Sequence, residues 1–164
     1  MKQETYIKIS EIVRKYPSGE KIVRYANIII TRIVYMAYFA MLLILAVCKD
    51  MRIIKVVLVP AISFVIVSIF RHISDTPRPY VIYEFSPIIK KEKMGQSMPS
   101  RHVFSAFVIG MSAFYLYPVF GILIFIDGII MCIGRVVAGV HFPKDVIVGA
   151  LIGIISGIIG FYII

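Results

Sequence analysis

The sequence predicts an all-α protein, a polytopic bundle of about five transmembrane helices preceded by an amphipathic surface helix. Two observations lead to this class. Of the 164 residues, 60% are hydrophobic and the mean hydropathy is +0.92, which is far above the range of soluble globular proteins. The apolar residues are also collected into long runs with few charges, separated by charged segments, as membrane spans require.

The N-terminal segment, residues 1–26, is amphipathic and precedes a transmembrane core, residues 27–164, in what we interpret as a single domain. Within residues 5–16, apolar side chains occupy one helical face and charged side chains the other, which predicts a helix lying on the membrane surface. The apolar face consists of Ile9, Ile12, Val13 and Tyr16. This helix is too charged to span a bilayer.

Three of the predicted spans are simple apolar runs. They cover residues 33–48, 53–70 and 146–164. The last of them repeats small residues, mainly glycines, at a spacing that allows close helix packing.

Residues 103–134 contain one charged residue and are too long for one crossing. We predict two short spans that turn at Tyr117-Pro118. The preceding segment, residues 79–101, is too polar to cross because the charged run at 90–93 interrupts it. In an alternative with four spans, residues 103–126 cross the membrane only once.

The formal net charge is +9, from 18 Lys and Arg residues against 9 acidic residues. In so apolar a chain these charges must collect in the polar segments between spans. A basic membrane protein favours anionic lipids and phosphate groups as partners. We exclude nucleic acid as a partner, because no stripe of basic residues is interleaved with exposed aromatics. The sequence leaves the oligomeric state open.

Three clusters of cationic, hydroxyl and imidazole side chains lie where apolar segments end. They are Arg71-x6-Arg78-Pro79, Pro99-Ser100-Arg101-His102 and Gly134-Arg135-x5-His141-x3-Asp145. Two predicted spans separate the second cluster from the third, and none separates the first from the second. All three clusters are therefore predicted on the same side of the membrane, where we interpret them as one candidate site. The four-span alternative would separate the second cluster from the third.

Side chains of these types can bind a phosphate ester. Arg71, Arg78 and Arg135 can hold its oxygens, since a guanidinium donates two parallel hydrogen bonds and stays charged. The backbone N–H groups of Ser100 and Arg101, with the Ser100 hydroxyl, could bind the same anion from the beginning of a helix.

The two histidines and the aspartate can supply nucleophilic and acid–base catalysis. The Asp145 carboxylate could accept a hydrogen bond from one ring nitrogen of His141 and leave the other nitrogen free to attack phosphorus. His102 would protonate the leaving oxygen and then deprotonate the water that cleaves the phosphohistidine. This scheme requires neither a metal ion nor another cofactor.

The three clusters resemble the signature of the type 2 phosphatidic acid phosphatase family, which reads Lys-x6-Arg-Pro, Pro-Ser-Gly-His and Ser-Arg-x5-His-x3-Asp. The resemblance implies metal-independent dephosphorylation of a phosphorylated lipid substrate within a membrane. It also implies that His141 is the nucleophile, Asp145 its partner and His102 the acid. The implied phosphate ligands are Arg71, Arg78, Ser100, Arg101 and Arg135.

The sequence departs from this signature at three positions. Arg71 stands in place of Lys, Arg101 in place of Gly, and Gly134 in place of Ser. Arg71 preserves a positive charge and Arg101 adds one, whereas Gly134 removes a hydroxyl donor.

Several alternatives stay open for the substrate and the function class. Candidate substrates are undecaprenyl diphosphate, which we favour, phosphatidylglycerophosphate and phosphatidic acid. A protein that binds or transports lipid phosphates without hydrolysing them is a second class, against which the intact His141, Asp145 and His102 argue. A vanadium-dependent haloperoxidase is a third class, which the membrane context disfavours.

We expect an integral protein of a bacterial cytoplasmic membrane. The side of the site is open, because two considerations conflict. The excess of basic residues near the clusters favours the cytoplasmic side. Recycling of a prenyl diphosphate would instead require the outer side.

Overall fold

The computed structural model describes residues 1–89 and 94–164. The charged run at 90–93 lies outside the described residues. Within the described ranges the chain forms the helices α1 (Gln3–Arg14), α2 (Gly19–Val47), α3 (Ile53–Ser74), α4 (Pro79–Ile82), α5 (Arg101–Leu116), α6 (Pro118–Val137) and α7 (Pro143–Ile158), and α7 continues into a π-helical turn, Ile159–Ile163.

The predicted all-helical membrane bundle is confirmed. In the described ranges, α2, α3 with α4, α6, and α7 with its π-helical turn are long and apolar enough to cross a membrane. Helix α5 is apolar but shorter, with 16 residues, or about 24 Å. Large apolar side chains such as Ile66, Ile133 and Ile155 are exposed around the bundle, as expected for a surface that contacts lipid.

Helices α5 and α6 are antiparallel neighbours. Tyr117 is extended between them, and Pro118 occupies the first turn of α6, where proline is favoured. Gly110 of α5 lies against Phe125, and Gly128 of α6 lies against Phe107. This register excludes one long crossing over residues 103–126. The chain therefore returns to the side of the bundle on which α5 begins.

Helix α7 runs parallel to α5 and touches it through three glycines. A β-carbon on Gly149 would lie 2.8 Å from the Ser100 carbonyl oxygen, and one on Gly157 would lie 2.3 Å from Met111 Cβ. Gly153 lies between them, against Phe104. The small residues predicted to allow close packing therefore do so. Most side chains of α5 are buried, so this helix forms the centre of the bundle.

The ends of α3, α5, α6 and α7 that carry the three clusters share one end of the bundle. Helix α3 continues one turn beyond its predicted end at residue 70, which places Arg71 on its last turn. Asp75 then adopts the left-handed conformation, with φ 32°, and ends the helix. Pro79 begins the short α4, which the sequence analysis did not predict.

Helix α1 docks on this same end through a face that differs from the predicted one. Tyr6 and Ser10 are its buried residues, whereas Ile12 and Tyr16 of the predicted apolar face are exposed. The Tyr6 ring stacks on Phe85, with 5.3 Å between the ring centroids. The helix ends at Arg14, ahead of Pro17, because a residue that precedes proline disfavours the α conformation.

The glycine contact between α5 and α7 predicts a large effect of side-chain size at one position. Gly153→Leu would place a β-carbon 2.8 Å from the Phe104 carbonyl oxygen and from Phe107 Cβ, so the helices must separate. We expect a loss of about 1–3 kcal/mol in the free energy of unfolding, measured by thermal unfolding in detergent. The control is Leu151→Phe on the exposed side of α7. Equal stability of the two variants would contradict this packing.

Candidate active site

The Asp145 carboxylate lies at the centre of the candidate site, in the first turn of α7. Its Oδ2 atom accepts hydrogen bonds from the Ser97 hydroxyl at 2.5 Å and from the Phe142 backbone N–H at 2.9 Å. The Nδ1 atom of His141 lies 3.6 Å from the same oxygen. Asp145 is 1% exposed, so its carboxylate is shielded from solvent.

Ser97 was not predicted as a site residue, and it changes the expected pairing of His141 with Asp145. A distance of 3.6 Å is too long for a direct hydrogen bond. The Ser97 hydroxyl donates to Asp145 and lies 3.5 Å from His141 Nδ1, so it contacts both partners. The sequence gives no signal for this role. Ser97 lies two residues before Pro99, but serine is too common in loops for that position to indicate a function.

His141 is buried in the connection between α6 and α7. Burial lowers its pKa from the ordinary value to about 4, although the nearby Asp145 carboxylate raises it in part. The positive charges of Arg78 and Arg71 act in the same direction as burial. The imidazole is therefore neutral at physiological pH, which is the form that can act as a nucleophile.

Arg71 and Arg78 are buried and hold the loop that carries Ser97. Arg71 donates to three carbonyl oxygens of the segment 96–99, including that of Ser97 at 3.2 Å. Arg78 donates to the carbonyl oxygens of Gly95 at 3.2 Å and Val140 at 3.1 Å. Because a guanidinium has five N–H donors, both arginines retain capacity for an anion while they position the loop.

One of the groups at Ser100 and Arg101 that were expected to bind an anion, the Ser100 N–H, is engaged elsewhere. The Ser100 N–H donates to the Asp145 carbonyl oxygen at 2.9 Å and so does not face an anion. The Ser100 hydroxyl is buried and has no hydrogen-bond partner among the described residues, so it can donate to an anion. Arg101 is exposed, with its guanidinium 5.8 Å from the centroid of the Phe64 ring on α3. Its role in phosphate binding stays a prediction.

His102 and Arg135 line a common cavity of about 580 Å³ at the same end of the bundle. Arg135 is buried and donates to the Thr31 hydroxyl at 3.1 Å. The other wall is a face of α2 that the sequence analysis did not assign to the site. That face carries Arg24, Asn27, Thr31 and Arg32.

Tyr6 connects α1 to the candidate nucleophile, a contact that the sequence analysis did not predict. Its hydroxyl donates to the His141 carbonyl oxygen at 3.0 Å. Burial raises the pKa of Tyr6, so the hydroxyl stays protonated and remains a donor. The N-terminal helix therefore helps to fix the backbone of residue 141.

The described residues contain no group of three or more His, Cys, Asp or Glu side chains that could hold a metal ion.

Comparison with known families confirms the resemblance to the type 2 phosphatidic acid phosphatase (PAP2) family. A sequence model of the PAP2 superfamily matches residues 52–164, which is more than half of the chain. The chain belongs to the PAP2 superfamily. The match begins just before α3 and includes all three clusters.

One relative is the bacitracin transport permease protein BcrC of Bacillus licheniformis. It is 30% identical over 110 residues, which are 65% of this chain and 54% of BcrC. The aligned part thus spans about half the length of that relative.

Two crystal structures share the fold. LpxE of Aquifex aeolicus superposes with a TM-score of 0.73 at 26% identity, over 96% of this chain and 92% of that one. A transmembrane PAP2-type phosphatidylglycerolphosphate phosphatase of Bacillus subtilis superposes with a TM-score of 0.62 at 18% identity, over 94% and 90% of the two chains. The PAP2 fold therefore extends over nearly the whole chain. The chain is an integral membrane protein.

The low pKa of His141 predicts how acid affects stability. The folded pKa is about 4 and the unfolded value about 6.5, so the unfolded state binds the proton first as the pH falls. We expect the free energy of unfolding to decrease between pH 6.5 and pH 4, with a contribution from this group of at most about 1.4 kcal/mol per pH unit.

Denaturant unfolding in detergent, repeated across this range, measures the effect. His141→Gln should flatten the pH dependence, whereas His72→Gln at an exposed position should leave it as in the wild type. An unchanged slope in His141→Gln would show that the imidazole is not buried in its neutral form.

Proposed function

We propose that this protein is a metal-independent integral-membrane phosphatase that hydrolyses a lipid phosphate or diphosphate through a phosphohistidine intermediate. The observation that carries the proposal is the buried arrangement of His141, Ser97 and Asp145 beside two arginines. Membership of the PAP2 superfamily supports it. The bacterial relatives support a bacterial cytoplasmic membrane as its location.

The first step forms a bond between phosphorus and His141. With Nδ1 directed towards Asp145 and Ser97, the Nε2 lone pair attacks phosphorus as the bond from phosphorus to the leaving oxygen breaks. His102 donates a proton to that oxygen. The guanidinium groups stabilise the charge on the other phosphate oxygens.

The second step restores the enzyme. Water attacks the phosphorus of the phosphohistidine, and His102, now neutral, accepts a proton from it. The P–N bond breaks and its electrons return to Nε2 of His141. The products are inorganic phosphate and either a lipid alcohol, from a monophosphate, or a lipid monophosphate, from a diphosphate.

Among the possible substrates we favour a prenyl diphosphate such as undecaprenyl diphosphate, with phosphatidylglycerophosphate and phosphatidic acid as alternatives. All three place a phosphate at headgroup level with apolar chains in the membrane. The cavity beside His102 and Arg135 lies at the end of a bundle whose sides are apolar, which suits such an amphiphile. A panel of the three lipids, assayed for phosphate release, distinguishes them.

A second candidate is a protein that binds or transports a lipid phosphate without turnover. The name of the relative BcrC, a bacitracin transport permease protein, favours it. It predicts stoichiometric binding of the lipid with no release of phosphate from any member of the panel.

Phosphate release by the wild-type protein separates the two candidates, and replacement of the nucleophile tests the phosphohistidine mechanism. We expect purified wild-type protein to release phosphate in EDTA and to be inhibited by vanadate, and we expect His141→Ala to lose activity by at least about 10³-fold. The control is His72→Ala, at an exposed histidine outside the site. Activity that survives in His141→Ala would refute the phosphohistidine mechanism.

Ser97 is a positioning residue in this scheme, because it acts through His141 and Asp145. Ser97→Ala removes one hydrogen bond to a charged group, so we expect kcat to fall about 10- to 100-fold with little change in KM. Ser112→Ala is a matched control, since Ser112 is also buried and donates to a backbone carbonyl within α5. Similar kcat values for the two variants would remove Ser97 from the mechanism.

A further inference from the structure

The polar face of α2 is part of the candidate site but has no role in the chemistry described above. Arg24, Asn27, Thr31 and Arg32 line the cavity that His102 and Arg135 close on the other side. The spacing of these positions places them on one side of the helix. None of the described residues that line the cavity is acidic. The cavity is therefore strongly cationic.

Asn27 is fixed against α6 at the position where the signature has lost its serine. Its Nδ2 donates to the carbonyl oxygens of Val23 at 2.9 Å and Gly134 at 3.3 Å. A β-carbon on Gly134 would lie 3.1 Å from that nitrogen, so the glycine provides the space for the amide. Asn27 is 4% exposed, and its Oδ1 has no partner among the described residues. A buried acceptor at the edge of a cavity indicates a missing donor.

Thr31 orients Arg135 towards the same cavity. Its hydroxyl accepts from Arg135 at 3.1 Å and donates to the Asn27 carbonyl oxygen at 2.7 Å. The Nε of Arg135 is buried and has no partner among the described residues. Arg135 thus retains a donor for an anion, and α2 holds it in place.

Arg24 and Arg32 lie eight residues apart on the helix, roughly 12 Å along its axis, with Asn27 and Thr31 between them. Two long cationic side chains at this separation can converge on a group held between them. The cavity of about 580 Å³ is within the range that accepts a headgroup larger than one phosphate.

We propose that Arg24 and Arg32, with Asn27 between them, form a subsite for a second anionic group of the substrate, next to the phosphate that Arg135 and His102 contact. The subsite rests on the proposed function, since it is part of the same headgroup cavity. Its ligand is a lipid with two charged groups in its headgroup. The second group is the inner phosphate of a lipid diphosphate or the phosphodiester of a phospholipid that ends in a phosphomonoester. The Asn27 oxygen accepts from a hydroxyl or a protonated oxygen of that headgroup.

The test compares ligands that differ in the second anion. Farnesyl diphosphate is paired with farnesyl phosphate, and phosphatidylglycerophosphate with phosphatidic acid. Binding is measured by titration in neutral detergent to protein carrying His141→Ala, which prevents turnover, with and without Arg24→Gln and Arg32→Gln. Lys21→Gln is the matched control, because Lys21 is an exposed cation on the same helix that does not line the cavity.

We expect each arginine variant to weaken binding of the two-anion ligand about tenfold, the effect of one lost charge-assisted hydrogen bond, and to change binding of its one-anion partner less than about threefold. The pair that shows the difference identifies the source of the second anion. Lys21→Gln should bind all four lipids as the parent does.

Two results would overturn the subsite. One is equal weakening for both members of each pair, which indicates general attraction of anions. The other is unchanged binding in both arginine variants, with thermal unfolding showing that they are folded. Failure of the proposed function is seen separately, as the absence of phosphate release by the wild-type protein, and it leaves these binding results interpretable.

Discussion

The buried carboxylate of Asp145 is the interaction on which the rest of the site depends. It accepts from the Ser97 hydroxyl and the Phe142 N–H, and it lies next to the ring of His141. The backbone carbonyl of the same residue accepts from the Ser100 N–H. One residue therefore joins the loop before α5, the connection between α6 and α7, and the beginning of α7. Removing a buried carboxylate would leave several polar groups unpaired at once, which is costly in a dry environment.

The charges around this carboxylate are unbalanced. Arg71, Arg78 and Arg135 are buried at the same end of the bundle, and Asp145 is the buried acidic residue that the described structure places among them. Buried charges are stable only when they are paired or hydrogen-bonded. Two of the arginines donate to carbonyl oxygens of the protein itself, yet an excess of positive charge remains. A bound phosphate would supply the missing negative charge, so the fold is suited to hold an anion.

Much of this arrangement could be predicted from the sequence. Apolar runs indicated the spans, since the hydrophobic requirement of a bilayer acts on each segment separately. Counting crossings from Tyr117-Pro118 placed the three clusters on one side, and the antiparallel contact of Gly110 with Phe125 agrees with that count. The motif residues could be found because their order and spacing match a known three-part signature, which basic residues that only fix the topology would not reproduce. The expected direct hydrogen bond between His141 and Asp145 was not found, because Ser97 contacts both.

The sequence by itself determined the membrane class, the order of the helices and the residue types available for phosphate chemistry. These follow from local composition and spacing, which do not depend on the remaining chain. Only the tertiary structure decided that Ser97 contacts the histidine, that Tyr6 of α1 holds the backbone of residue 141, and that a face of α2 closes the cavity. Such contacts join positions far apart in the chain, and no periodicity of a single segment encodes which distant surface it will meet.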